Sequence, residues 1–116
     1  MKFIYYPPCS TCKKAKAFLD EKGMEYEARD IKLENPTYEE LKAWYRESGL
    51  PLKKFFNTSG LLYKSMELKD KLPNLTEEEQ LRLLSTDGML VKRPILLSNQ
   101  GIFVGFKPKE WEEKLT

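Results

Sequence analysis

Two adjacent prolines decide how this chain begins. Lys2 to Tyr6 is a short β-branched and aromatic run suited to a buried strand. Pro7-Pro8 ends it, because proline has no N–H to extend a ladder and its fixed φ turns the backbone. A helix is expected at once. From Ser10 to Lys22, Ala15, Phe18 and Leu19 recur at helical spacing, and Gly23 stands where a C-terminal cap belongs. A strand over Glu25 to Ile31 follows. Asn35-Pro36 then breaks the chain, and Thr37-x-x-Glu40 is a capping box opening a helix with Leu41, Trp44 and Tyr45 inward and Gly49-Leu50-Pro51 at its end. From Leu52 to Asp87 there is no strand alternation, and the segment reads as short helices. Leu61 to Asp70 is one, Pro73 is a break, and Thr76-x-x-Glu79 opens another around Leu81 and Leu84. After Arg93-Pro94, the runs Ile95-Leu96-Leu97 and Ile102-Phe103-Val104 flank the hairpin signal Ser98-Asn99-Gln100-Gly101, and Pro108 suits the first turn of a last helix carrying Trp111 and Leu115. The order βαβα, helices, ββα predicts an α/β protein with one open mixed sheet and helices packed on it.

Composition narrows the functions open to such a fold. With 116 residues the chain is expected to be one domain, and 20 Lys+Arg against 18 Asp+Glu leave a net charge of +2. That near-balance argues against direct nucleic-acid binding, which usually shows as a strong basic excess. No apolar run approaches a membrane span, and Met1 to Pro8 lacks a secretory signal, so a cytoplasmic location is expected. There is no histidine at all. Ser-His-Asp and Cys-His nucleophile systems and most zinc sites are thereby removed. Six scattered glycines form no phosphate-cradling loop.

The two cysteines, Cys9 and Cys12, are the place to look for chemistry. Cys9-Ser10-Thr11-Cys12 lies where the first strand gives way to the first helix, where unpaired N–H groups and the helix dipole stabilise an anion such as a thiolate. Residues at i and i+3 share a helix face, so the sulfurs can close a disulfide, and Lys13, Lys14 and Lys16 are expected to lower the Cys9 pKa further. Half of a zinc site and inert core filling are the other readings of such a pair. The strand–helix placement within a βαβ pattern favours the redox one, with Cys9 attacking and Cys12 resolving. Pro94 reads either as the first residue of a strand or as a cis proline holding a backbone edge open to substrate beside the cysteines. Arg93 is a surface charge or, beside a thiolate, a planar clamp for an oxyanion, and Lys107 offers a second cation. Trp44 and Trp111 read as core aromatics. Tyr6 borders the cysteine motif and is assigned no chemistry.

Tyr6 to Ala15, Lys92-Arg93-Pro94-Ile95 and Val104-Gly105-Phe106 together resemble the arsenate reductase ArsC/Spx family of the thioredoxin-fold superfamily, over nearly the whole chain. Leu52 to Gly60 is similar to a subgroup of small arsenate-reductase-like proteins with Cys-x-x-Cys. The resemblance implies a thioredoxin-like fold: a mixed four-stranded sheet with flanking helices, in one domain over 1–116, with a helical insertion at about 50–90 between the βαβ and ββα halves. It makes Cys9 the nucleophile and Arg93 an oxyanion-binding arginine. Asn57 and Lys107 fall near where glutaredoxin-coupled arsenate reductases have two further arginines. This chain also has Cys12 where those enzymes have serine, and no histidine beside the nucleophile. Each missing charge-assisted hydrogen bond to an anion is worth about 1.5–3 kcal/mol, so arsenate should bind less tightly and dithiol chemistry gains weight.

The function expected is therefore a thiol-disulfide oxidoreductase with Cys9 and Cys12 catalytic and with Ser10, Thr11, Lys13, Asn57, Arg93, Pro94 and Lys107 binding a small oxyanion or disulfide substrate. It needs no metal or organic cofactor. Glutathione, glutaredoxin or thioredoxin would return the electrons. Spx-type members of the family imply an alternative: the same disulfide as a redox switch in a regulator that binds the carboxy-terminal domain of the RNA polymerase α-subunit. They use a surface near Gly49, which here reads more simply as a helix cap.

Overall fold

The computed structural model describes residues 1–116, with the elements β1 (Lys2–Tyr5), α1 (Ser10–Glu21), β2 (Glu27–Asp30), α2 (Tyr38–Ser48), α3 (Leu61–Ser65), α4 (Leu68–Lys71), α5 (Glu77–Leu84), β3 (Ile95–Ser98), β4 (Gly101–Val104) and α6 (Pro108–Leu115). The chain gathers into two compact units, one of Met1–Asp30 with Arg93–Thr116 and one of Ile31–Lys92. No helix is long and apolar enough to cross a membrane.

The first unit holds the whole sheet, in the order β2-β1-β3-β4. β1 runs parallel to β2 and antiparallel to β3, which pairs antiparallel with β4. This is the thioredoxin-like arrangement expected. The central strands β1 and β3 are the most apolar, and Phe3, Ile4, Ile95 and Leu96 are wholly buried. Phe3, Leu96 and Phe103 share one face and pack on Ala15 and Leu19 of α1 and Trp111 of α6. Phe18 and Phe106 meet the Trp111 ring edge-on at 6.0 and 4.8 Å, a geometry that aligns the positive ring edge with the negative face. At the end of α1, Gly23 has φ +67, its N–H bonds the Asp20 carbonyl and the Met24 N–H bonds that of Leu19. That is a Schellman cap, which needs the left-handed residue that glycine supplies cheaply. The β3–β4 loop is only Asn99-Gln100, with the Ser98 hydroxyl accepting from the Gln100 N–H and donating to the Gly101 carbonyl.

The second unit is helical. Both expected capping boxes are present, Thr37 with Glu40 and Thr76 with Glu79, each satisfying two otherwise orphaned N–H groups. Gly49 takes the left-handed conformation at the end of α2. One expectation fails: Leu61 to Asp70 is two short helices, not one, with Glu67 left-handed between them at φ +53. The reason is packing. Tyr63 and Leu68 are five residues apart, about 140° around a continuous helix, yet both are buried. The break at Glu67 lets both turn inward. β2 is also shorter than expected, ending before the buried Ile31.

Candidate active site

Strand register builds the site in the first unit. Ile4 pairs with Ile95 across β1 and β3, and continuing that antiparallel register by two residues sets Tyr6 opposite Arg93. The Arg93 guanidinium lies over the Tyr6 ring, 5.0 Å from its centroid, in a cation–π arrangement that holds a long side chain in place. The Arg93-Pro94 peptide is cis and Pro94 is buried.

Pro7-Pro8 turns the chain so that the Cys9 N–H reaches the Tyr6 carbonyl at 2.9 Å, and Cys9 becomes the N-cap of α1. The Cys9 carbonyl accepts from the Lys13 N–H at 3.0 Å, starting the helix. A cysteine at an N-cap supplies no side-chain oxygen, and the Cys9 side chain makes no cap bond. Its sulfur is instead free for chemistry at the positive end of the helix dipole. Cys9 is half-buried and Cys12, one turn on, is wholly buried; both are free thiols. The Tyr6 N–H donates to Cys12 Sγ at 3.5 Å.

These surroundings push the two thiols in opposite directions. Partial burial alone would raise Cys9, but the Cys12 N–H and thiol, then the Arg93 guanidinium by hydrogen bond and charge, together hold it below the ordinary value of 9.0. Burial pushes Cys12 up to about 12, helped by its hydrogen bond to Cys9 and the like charge there, and opposed by the Tyr6 N–H and Arg93. At neutral pH Cys9 is thus the better nucleophile, and Cys12 keeps its proton and donates it to the Cys9 sulfur.

The positive charge acting on Cys9 comes from Arg93 rather than from Lys13, Lys14 and Lys16 as expected. Lys13 and Lys14 point to solvent, where their charge is screened, and Lys16 pairs with Asp20 at 2.9 Å. Ser10 and Thr11 are exposed on the first turn of α1, and Lys107 is exposed at the N-cap of α6. Asn57 belongs to the second unit, in a turn where its N–H donates to the Leu90 carbonyl at 2.8 Å. The structure thus brings together Cys9, Cys12, Arg93 and Tyr6. Tyr6 is the participant that sequence reasoning passes over, since its carbonyl, N–H and ring face all act without any catalytic side-chain chemistry.

The ArsC family profile matches residues 4–114. The chain belongs to the ArsC family. An ArsC-family-related protein of Bacteroides fragilis is 58% identical, with a TM-score of 0.93 over 97% of this chain and 94% of that one. A possible arsenate reductase of Streptococcus mutans UA159 is 45% identical, with a TM-score of 0.86 over 96% of each chain. Among curated relatives, the regulatory protein MgsR of Bacillus subtilis is 31% identical, covering 95% of this chain and 86% of its own length. In this ArsC-family chain a lowered thiol and a raised one stand a helical turn apart, an arrangement able to form, hold and release a sulfur-bound adduct.

Proposed function

We propose that this ArsC-family protein is a cytoplasmic thiol-disulfide oxidoreductase in which Cys9 is the nucleophile and Cys12 the resolving thiol. The observation that carries the reading is the opposite displacement of the two thiols within one helical turn. With a disulfide substrate, the Cys9 thiolate attacks one sulfur and expels the other half as a thiolate, leaving a mixed disulfide. Cys9 then carries no charge, so the repulsion that helped keep Cys12 protonated is gone. Cys12 loses its proton, attacks the Cys9 sulfur and expels the second thiolate. The substrate gains two electrons and the protein retains a Cys9–Cys12 disulfide.

With arsenate, the Cys9 thiolate displaces water from As(V). Attack of Cys12 on the Cys9 sulfur then leaves the As–S electron pair on arsenic and releases As(III). Arg93 is the residue we assign to the oxyanion, assisted by Ser10, Thr11, Lys13 and Lys107, with Pro94 at the substrate edge. Glutathione, glutaredoxin or thioredoxin returns two electrons to the disulfide. The similarity to the possible arsenate reductase of Streptococcus mutans supports this reading.

The test is NADPH consumption coupled through thioredoxin or through glutathione and glutaredoxin, with arsenate and a small mixed disulfide offered in turn. Wild type should turn over at least one, and Cys9→Ser should lose about 1000-fold or more. Equal turnover by Cys9→Ser with both oxidants would sink the proposal.

The likeness to MgsR favours a second reading, in which the same disulfide switches affinity for the carboxy-terminal domain of the RNA polymerase α-subunit. Titrating that domain with reduced and oxidised protein decides it: binding in one redox state supports the regulator, and no binding in either removes it.

A further inference from the structure

We propose that Tyr6 is a positioning residue for Arg93: its ring face orients the guanidinium toward Cys9, so the ring, not the hydroxyl, governs how readily the Cys9 sulfur reacts. The inference deepens the dithiol chemistry proposed above and rests on that reading, in which Cys9 is the attacking sulfur.

Strand alternation places the ring. Phe3 and Tyr5 stack at 5.0 Å on one face of β1, which leaves the other face to Ile4 and, one step past the end of the strand, to Tyr6. Ile4 pairs with Ile95, and Arg93 stands two residues before Ile95. The two side chains therefore meet just beyond the last rung of the ladder, with the guanidinium carbon 5.0 Å from the ring centroid.

That contact does what Cys9 needs. An unrestrained arginine side chain samples many rotamers and spends little of its time at any one sulfur. The ring face holds the guanidinium through its quadrupole and brings no counter-charge, so it leaves undiminished the charge that Cys9 feels. The guanidinium N–H bonds lie in its own plane, so one face can rest on Tyr6 while an edge donates to Cys9. Tyr6 is also tied to both cysteines by backbone: its carbonyl accepts from the Cys9 N–H at 2.9 Å and its N–H reaches Cys12 Sγ at 3.5 Å. The turn that carries the sulfurs thus carries the ring. The Tyr6 hydroxyl takes part in none of these contacts. Among the neighbouring charges, Lys13 and Lys14 point to solvent, Lys16 pairs with Asp20 and Lys107 is exposed, and the groups that act on Cys9 are Cys12 and Arg93.

Alkylation of Cys9 by iodoacetamide, followed by peptide mass as a function of pH, tests this. It needs neither substrate nor reductant, so its failure and that of the turnover test are read separately. Tyr6→Leu keeps the backbone bonds and removes the ring. It should move the profile to higher pH and slow the reaction at pH 7 about threefold. Tyr6→Phe keeps the ring face and should restore the wild-type profile. Pentafluorophenylalanine at position 6 has nearly the shape of phenylalanine with the ring quadrupole reversed, and should slow the reaction at least as much as leucine. In an Arg93→Ala background Tyr6→Leu should slow it no further, because the ring acts through the guanidinium. A Tyr6→Leu profile that coincides with wild type overturns the proposal. So does a Tyr6→Leu effect that persists undiminished without Arg93. Should Tyr6→Leu fail to fold, the two phenylalanine rings, which fill nearly the same space, decide alone: coincident profiles overturn the proposal.

Discussion

The unit of Met1–Asp30 and Arg93–Thr116 is organised by strand pairing between distant parts of the chain, whereas Ile31–Lys92 is organised by short helices that end and restart every few residues. In the first, a single aromatic cluster around Trp111 fixes helices α1 and α6 on the sheet. In the second, burial is spread over Leu41, Phe55, Phe56, Leu68, Leu81, Leu84 and Leu90, and the helices are held by caps and by one close backbone approach at Gly88. The thiols lie in the unit whose geometry is pinned non-locally. A sulfur and a guanidinium some 84 positions apart in sequence can be kept within hydrogen-bond reach only if the strands carrying them cannot slip, and the buried pairs Phe3–Leu96 and Ile4–Ile95 forbid a slip that would turn apolar side chains to water.

Four substitutions press on this contrast, in decreasing order of effect. Trp111→Ala empties the centre of the sheet unit's cluster and should cost about 3–5 kcal/mol in denaturant unfolding. A loss below about 1 kcal/mol would show that the cluster does not organise the unit. Gly88→Ala strikes the helical unit at its tightest point, where an added Cβ would stand 1.8 Å from the Ile31 carbonyl oxygen. Backbone must move to admit it, at a cost of about 3 kcal/mol in the same measurement.

Arg93→Ala tests whether non-local pairing tunes the thiol. Removing the guanidinium destabilises the Cys9 thiolate, so its pKa should rise and alkylation by iodoacetamide at pH 7 should slow about tenfold. The sign extends to folding. Cys9 is held below 9.0 in the folded chain, so the folded state binds fewer protons than the unfolded one there, and stability falls as pH drops through the folded value. That slope should flatten in the variant, and an unchanged alkylation profile would assign the lowered thiol to the Cys12 N–H and thiol without Arg93. Thr76→Ala removes only the capping hydroxyl that accepts from the Glu79 N–H at 3.1 Å, and should cost about 1 kcal/mol, the smallest of the four.

Local signals were legible wherever the deciding interaction is short in sequence. The capping boxes at Thr37 and Thr76, the Gly23 and Gly49 caps and the Asn99-Gln100 hairpin each depend on residues within five positions of one another, and all are present. The split of Leu61–Asp70 was not legible, because helical propensity is continuous there and only the burial of both Tyr63 and Leu68 forces the break at Glu67. In the candidate site, Cys9 and Cys12 announce themselves by spacing at a strand–helix junction. The lysines following them look equally suggestive in one dimension, but exposure removes their influence. Tyr6 carries no signal, since what it contributes is backbone and ring face.

By itself, then, the sequence determined that this is an α/β chain with a dithiol at the start of its first helix, because propensity, capping and i,i+3 spacing act over a few residues. It also pointed to Cys9 as the lowered thiol; only the tertiary structure decided that burial pushes Cys12 up and that Arg93, not the neighbouring lysines, is the cation lowering Cys9. Burial and charge proximity depend on what the fold brings close, and the β1–β3 register brings Arg93 over Tyr6 and beside Cys9.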